Sequence, residues 1–160
     1  MKVSRRRGAV RVRLDQVEVS LFVSLVNDFL SLLEAETADE PNAAPDPVLD
    51  RLFPDAYADA EPAAEFRALT RAGLRDDRVE RAVASRDELL EVDGELNLDD
   101  AAGTRWIQVI NDLRLALGTR LEITEDDDHS VDPDAPDAQA RTIYFWLTWL
   151  QDSLVQALMG

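Results

Sequence analysis

Seven carboxylates lie between Glu125 and Asp137, and the chain's single histidine, His129, stands among them. Counted from Asp126, positions one, three, five and seven are Asp126, Asp128, Ser130 and Asp132, and position twelve is Asp137. That spacing mimics a calcium loop. Such a loop turns on a glycine at position six and closes with a bidentate glutamate at position twelve. Here Val131 holds the sixth position, Pro133 the eighth, and the closing acid is a shorter aspartate. The stretch reads as a solvated acidic loop, and no metal is expected in it. His129 fares no better as a general base, because a catalytic imidazole needs a nucleophile and an orienting acid fixed beside it.

Other chemistries lack their residues. The chain has no cysteine, so thiolate nucleophiles, disulfides and Cys-ligated zinc are absent from it. Its six glycines are scattered, with neither a G-x-G-x-x-G nor a Walker pattern to cradle phosphates. Carboxylates are plentiful, yet nothing singles out two of them as an acid/base pair. The expectation is a protein that is not an enzyme and carries no cofactor.

Two stretches keep a claim on function by binding. Lys2, Arg5, Arg6, Arg7, Arg11 and Arg13 fall in the first thirteen residues, which hold no acid; the rest carries 11 bases against 33 acids. The net charge of −16 disfavours ordinary nucleic-acid binding, since a uniformly acidic surface repels phosphates. A basic arm (residues 1–8), with Arg5, Arg6 and Arg7 at its centre, fits a frayed terminus that aids solubility. It also fits an element that docks on an acidic protein or neutralises a few phosphates. DNA contact of that kind is expected to be weak and salt-sensitive without a partner.

The second stretch runs from Ile143 through Leu158, where Tyr144, Phe145, Trp146 and Trp149 interleave with leucines. Apolar residues cover more than one helical stripe there, so the helix is either surrounded by protein or shared with a partner. Core packing accounts for most such runs. Trp146 and Trp149 are the residues expected at an interface.

These residues need a scaffold, and the pattern predicts one that is mostly α: a compact bundle of about five helices in a single domain spanning 1–160. Val17, Leu21, Phe22, Leu25, Val26, Phe29, Leu30 and Leu33 recur at helical steps behind an acidic capping box of Asp15 and Glu18. Asp46-Pro47 opens a short helix that must end before Pro54. Glu61-Pro62 opens a longer one reaching about Val92, with Gly73 as a break, and Phe66, Leu69, Leu74, Val79, Val83, Leu89 and Leu90 form its inner face. Asp93-Gly94 turns the chain. Asp99 or Asp100 caps the helix of Trp106, which stops at Gly118. Ala9–Leu14 and Thr119–Thr124 alternate with the period of strands, which predicts a two-stranded ribbon with Arg11 or Arg13 facing Glu122. Residues 34–46 and 125–137 are acidic loops. No run of 18 apolar residues and no secretory leader are visible, so the cytoplasm is expected, without membrane contact.

Three segments together resemble a known family. They are Asp46 to Tyr57 running on to Glu65-Phe-Arg-Ala-Leu-Thr70; Asn111-Asp-Leu-Arg-Leu-Ala-Leu-Gly-Thr-Arg-Leu121; and Tyr144 to Leu158, with Trp146-Leu-Thr-Trp-Leu-Gln-Asp-Ser-Leu-Val155 at its centre. The family is an actinobacterial domain of unknown function, one group of which is described as AosR-like oxidative-stress transcriptional regulators. The resemblance implies a cytoplasmic regulator acting on transcription through a protein partner, a sigma factor or RNA polymerase being the candidates. It implies no catalytic residue. The redox-sensing version of that mechanism uses a cysteine pair, which this chain lacks. The alternative reading is a cytosolic adaptor or homodimeric assembly protein with no transcriptional role.

Overall fold

The computed structural model describes residues 1–35, 46–53 and 64–160. Most of the expected loop 34–46 and the Glu61-Pro62 start signal lie outside the described residues, as does the Phe66 side chain. Three strands and five helices follow in the order β1 (Lys2–Arg6), β2 (Ala9–Arg13), α1 (Gln16–Ala35), α2 (Pro47–Leu52), α3 (Ala64–Glu91), β3 (Glu95–Leu98), α4 (Asp100–Arg120) and α5 (Ala138–Met159). The protein is mostly α, as the pattern predicts.

The helix starts follow from local capping chemistry. The Glu18 amide donates to the Asp15 carboxylate and the Asp15 amide to the Glu18 carboxylate, both at 2.9 Å, closing the capping box of α1. Asp46 accepts from the Val48 amide at 2.8 Å, with Pro47 in the first turn of α2. Asp99 rather than Asp100 caps α4, accepting from the Ala102 amide at 2.8 Å. Each such cap contributes about 1 kcal/mol by satisfying an otherwise orphaned amide.

Helix α4 is the central element, touching α1, α2, α3, α5 and the inner face of the sheet. Its Trp106 stacks on Phe22 of α1 with ring centroids 4.7 Å apart, both side chains essentially inaccessible to solvent. Such an aromatic pair adds about 0.5–1.5 kcal/mol beyond its buried area. The Trp106 indole donates to Glu88 of α3 at 3.0 Å, and Arg105 pairs with the same carboxylate at 2.6 Å. Helix α1 is long and apolar enough by composition to cross a membrane. In this fold it instead buries Val19, Phe22, Val26, Phe29 and Leu33 in the core.

The sheet corrects the predicted ribbon. Ala9–Arg13 is a strand, but its partners are β1 and β3, in the antiparallel order β1-β2-β3. Residues Lys2–Arg6, expected to be a basic arm, are therefore an edge strand. Arg7 and Gly8, both at positive φ, form the two-residue hairpin that joins β1 to β2. Thr119–Thr124 is not a strand. Helix α4 continues through Gly118 to Arg120 and ends in a Schellman motif. The Ile123 amide returns to the Gly118 carbonyl at 2.9 Å and the Glu122 amide to Thr119 at 3.2 Å, with Glu122 at φ 54°. Arg13 consequently faces Glu95, at 2.8 Å, and not Glu122.

Two glycine expectations also change. Gly73 does not interrupt α3, which is continuous from Ala64 to Glu91. Gly118 does not stop α4; it is buried where Tyr144 of α5 crosses, and a Cβ there would meet the Tyr144 ring at 3.0 Å. Of the predicted inner face of α3, Leu89 is buried while Leu69, Leu74 and Leu90 are exposed. The Asp93-Gly94 turn is present, and Gly94 lies against the Leu14 carbonyl so closely that any side chain would collide with it.

Candidate partner-binding surfaces

Strand alternation sorts the N-terminal cations onto two faces. In the register, Lys2 opposes Arg13, Ser4 opposes Arg11 and Arg6 opposes Ala9, while Arg11 continues across to Asn97 and Arg13 to Glu95. Side chains of directly opposed residues share a face. One face therefore carries Lys2, Arg6, Arg11 and Arg13 into solvent. The other carries Val3, Val10, Val12, Leu96 and Leu98 into the core beneath α4 and α5. The outward face forms an open hollow of about 450 Å³ with Ser4 and Asn97 between the long cations.

The expected trio of Arg5, Arg6 and Arg7 is split by this alternation. Arg5 sits opposite Val10 on the inward side and reaches the end of α5, where its guanidinium donates to the Ala157 carbonyl at 3.0 Å. It also donates to the Leu158 carbonyl and lies 3.8 Å from Asp100. Helix α5 has no basic residue in its own last turn, so Arg5 supplies the cation that its C-terminal carbonyls favour. Arg6 is exposed on the outward face and Arg7 at the hairpin tip. Lys2, Arg11 and Arg13 join Arg6 there. The alternation of Lys2–Arg6 and Ala9–Arg13 about the Arg7-Gly8 turn was the signal for that grouping.

The tryptophans of α5 also part company. Leu147, Leu150, Gln151 and Leu154 form its buried stripe. Trp146 is half-buried and packs against the core, its indole nitrogen enclosed without a hydrogen-bond partner. Trp149 points outward and is 51% exposed. Arg114 of α4 ties the two helices together, donating to Thr148 at 3.0 Å and to Gln151.

The acidic loop is anchored to the same helix. Arg141 pairs with Asp127 at 2.9 Å and with Asp137 at 2.8 Å, and the His129 ring stacks on Phe145 at 5.4 Å. The Arg141 guanidinium and the His129 amide hold the Asp127 carboxyl below its ordinary range. Asp128 accepts from both the Ser130 amide and its hydroxyl, at 3.0 and 2.7 Å. Asp127, Asp128 and Asp132 thus accept from amides two residues on in their own loop, and His129 Nδ1 lies 2.6 Å from the Asp127 carbonyl. Among the described residues no group of three or more acidic or histidine side chains is placed to hold a metal ion.

One buried charge cluster lies elsewhere, between α3 and α4. Asp112 is paired with Arg78, and Arg81 stands 3.7 Å away. Burial pushes the Asp112 carboxyl above its usual value against the pull of both guanidiniums. Arg78 also donates to the Leu52 carbonyl at 3.0 Å, so the cluster joins α2 to the α3–α4 pair.

The family profile described as a domain of unknown function (DUF2017) matches residues 1–158. A Mycobacterium leprae (strain TN) protein named "Putative oxidative stress regulator AosR" is 35% identical over 172 residues, covering 89% of this chain and 79% of its own length. Proteins named "Oxidative stress regulator AosR" from Mycobacterium tuberculosis (strain ATCC 25618 / H37Rv) and Mycobacterium bovis (strain ATCC BAA-935 / AF2122/97) are also 35% identical, over 129 residues. Those matches cover 72% of this chain and 59% of the relatives, so the chain spans less than two thirds of their length. No solved structure matches.

Proposed function

We propose that this chain, which belongs to the DUF2017 family, is a non-enzymatic cytoplasmic regulator of the oxidative-stress response that acts on transcription by protein contact. The relatives named as oxidative stress regulators support a regulatory role. The observation that carries contact as its means is Trp149, half in solvent on a helix whose other side is core. Exposed aromatics of this kind act as interface anchors because they bury large area at little entropic cost. The partner would be a sigma factor or another component of RNA polymerase. Any redox signal would reach this chain by a route other than a disulfide, since it has no cysteine.

Isolation of the tagged chain from peroxide-treated native cells, followed by mass spectrometry and transcript profiling of a deletion strain, tests this reading. A stoichiometric polymerase component and a shifted peroxide response are expected. Recovery of only a second copy of the chain, with unchanged transcripts, would replace it with the dimeric assembly reading.

A further inference from the structure

We infer that the outward face of the three-stranded sheet is a docking site for a short acidic segment of a partner protein, gripped by Lys2, Arg6, Arg11 and Arg13. The inference rests on the protein-contact reading and names the chemistry of the partner.

Cations are scarce and mostly occupied in this molecule, which has 17 bases against 33 acids. Arg5, Arg78, Arg86, Arg105, Arg120 and Arg141 all meet carboxylates of their own chain. On the sheet face only Arg13 does, through Glu95. Among the described residues Lys2, Arg6 and Arg11 meet no carboxylate, so three charges stand free in the midst of a strongly acidic chain. The sheet holds them in fixed register, at about 6.8 Å between same-face residues of a strand and about 4.8 Å between strands. Between them Ser4 and Asn97 offer short hydrogen-bonding groups to a backbone. An extended or helical segment bearing carboxylates at such intervals can take paired arginine hydrogen bonds.

The extent of the patch favours an acidic peptide over DNA. Five-residue strands give a face about 14 Å long, while duplex DNA carries one charge per about 1.7 Å of axis and runs on past both ends. Phosphates beyond the patch would face the acidic remainder of the chain. Base stacking has no platform either, because the outward positions hold no aromatic residue. A second copy fits poorly: two such faces repel each other across a two-fold axis, and the face of one copy against the acidic loop of the next is a heterologous contact, which builds rings or filaments rather than the common two-fold dimer.

The test is fluorescence anisotropy with labelled decaglutamate as probe and a short duplex DNA as competitor, at about 0.05 M and about 0.5 M salt. Arg6→Glu/Arg11→Glu is expected to weaken decaglutamate binding by roughly tenfold or more, and Arg6→Gln/Arg11→Gln by less, with unchanged thermal unfolding. The glutamine pair keeps the test decisive where charge reversal disturbs folding. Trp149→Ala is expected to leave decaglutamate binding unchanged. Equal binding by both arginine variants and the parent would overturn the inference, as would tighter binding of the duplex than of the peptide. Loss of polymerase recovery with this binding intact would sink the regulatory reading and leave the surface standing.

Discussion

The Arg5 guanidinium closes the C-terminus of α5 by donating to the Leu158 carbonyl, while Arg6, its neighbour in sequence, points out of the opposite face of the same strand. The two arginines are chemically alike and do different work. One joins the first strand to the last helix; the other meets no carboxylate among the described residues.

Arg5→Ala should therefore lower stability by about 1 kcal/mol, the scale of a charge-assisted hydrogen bond at a helix C-terminus. Denaturant unfolding measures it. Decaglutamate anisotropy of the same variant should stay within error of the parent, and a large loss there would place Arg5 in the docking face after all.

Trp149→Ala removes a side chain that is half in solvent on α5. Its stability should change by less than about 0.5 kcal/mol, as for surface positions generally. Recovery of the partner from native cells should fall sharply. Equal recovery would move the contact away from α5.

Gly73 lies inside α3 with open space around its would-be Cβ. Gly73→Ala should stabilise by about 0.5–1 kcal/mol, because glycine loses more backbone freedom in a helix than alanine does. Gly118→Val should do the reverse, costing about 1–3 kcal/mol by forcing Tyr144 off the α4–α5 contact. Paired thermal melts distinguish the two. A destabilised Gly73→Ala would mean that position must bend.

Asp46 caps α2 and pairs with Arg120 at 2.7 Å. Burial raises its pKa, but the Arg120 guanidinium and the Val48 and Leu49 amides outweigh it and hold the carboxyl below its ordinary 3.8. The folded state thus favours the carboxylate. That stability is fully present above pH 3.8 and is lost as pH falls through the lowered folded value. Asp46→Ala should cost about 1 kcal/mol at neutral pH, and the gap to the parent should narrow on acidification. A gap that stays constant down to the acid transition would show that the cap is not ionised.

The surfaces were only half legible beforehand. Trp149 is 51% exposed, whereas Trp146 is packed against the core. Both lie in one unbroken apolar run, and nothing in that run marks which side of α5 the other helices cover. The segment from Thr119 to Thr124 alternates as a strand does, yet two apolar residues two apart also fit a helix end. Leu121 and Ile123 belong to the close of α4. Glu95-Leu-Asn-Leu98 carried the same alternation and is the true third strand.

What the order of residues determined alone is local: helical periodicity, the Asp15–Glu18 and Asp46 caps, a cap at Asp99 or Asp100, and the Asp93-Gly94 turn. Each is set mainly by bonds and spacings within a few residues. Tertiary structure decided which strand meets β2, which arginine turns inward and which tryptophan stays wet. Those outcomes depend on pairing between segments far apart in the chain. Shifting a strand by one residue exchanges its faces. Only the β1–β2–β3 register, held by Val3, Val12 and Leu96 against the helices, puts Arg6 in water and Arg5 on α5.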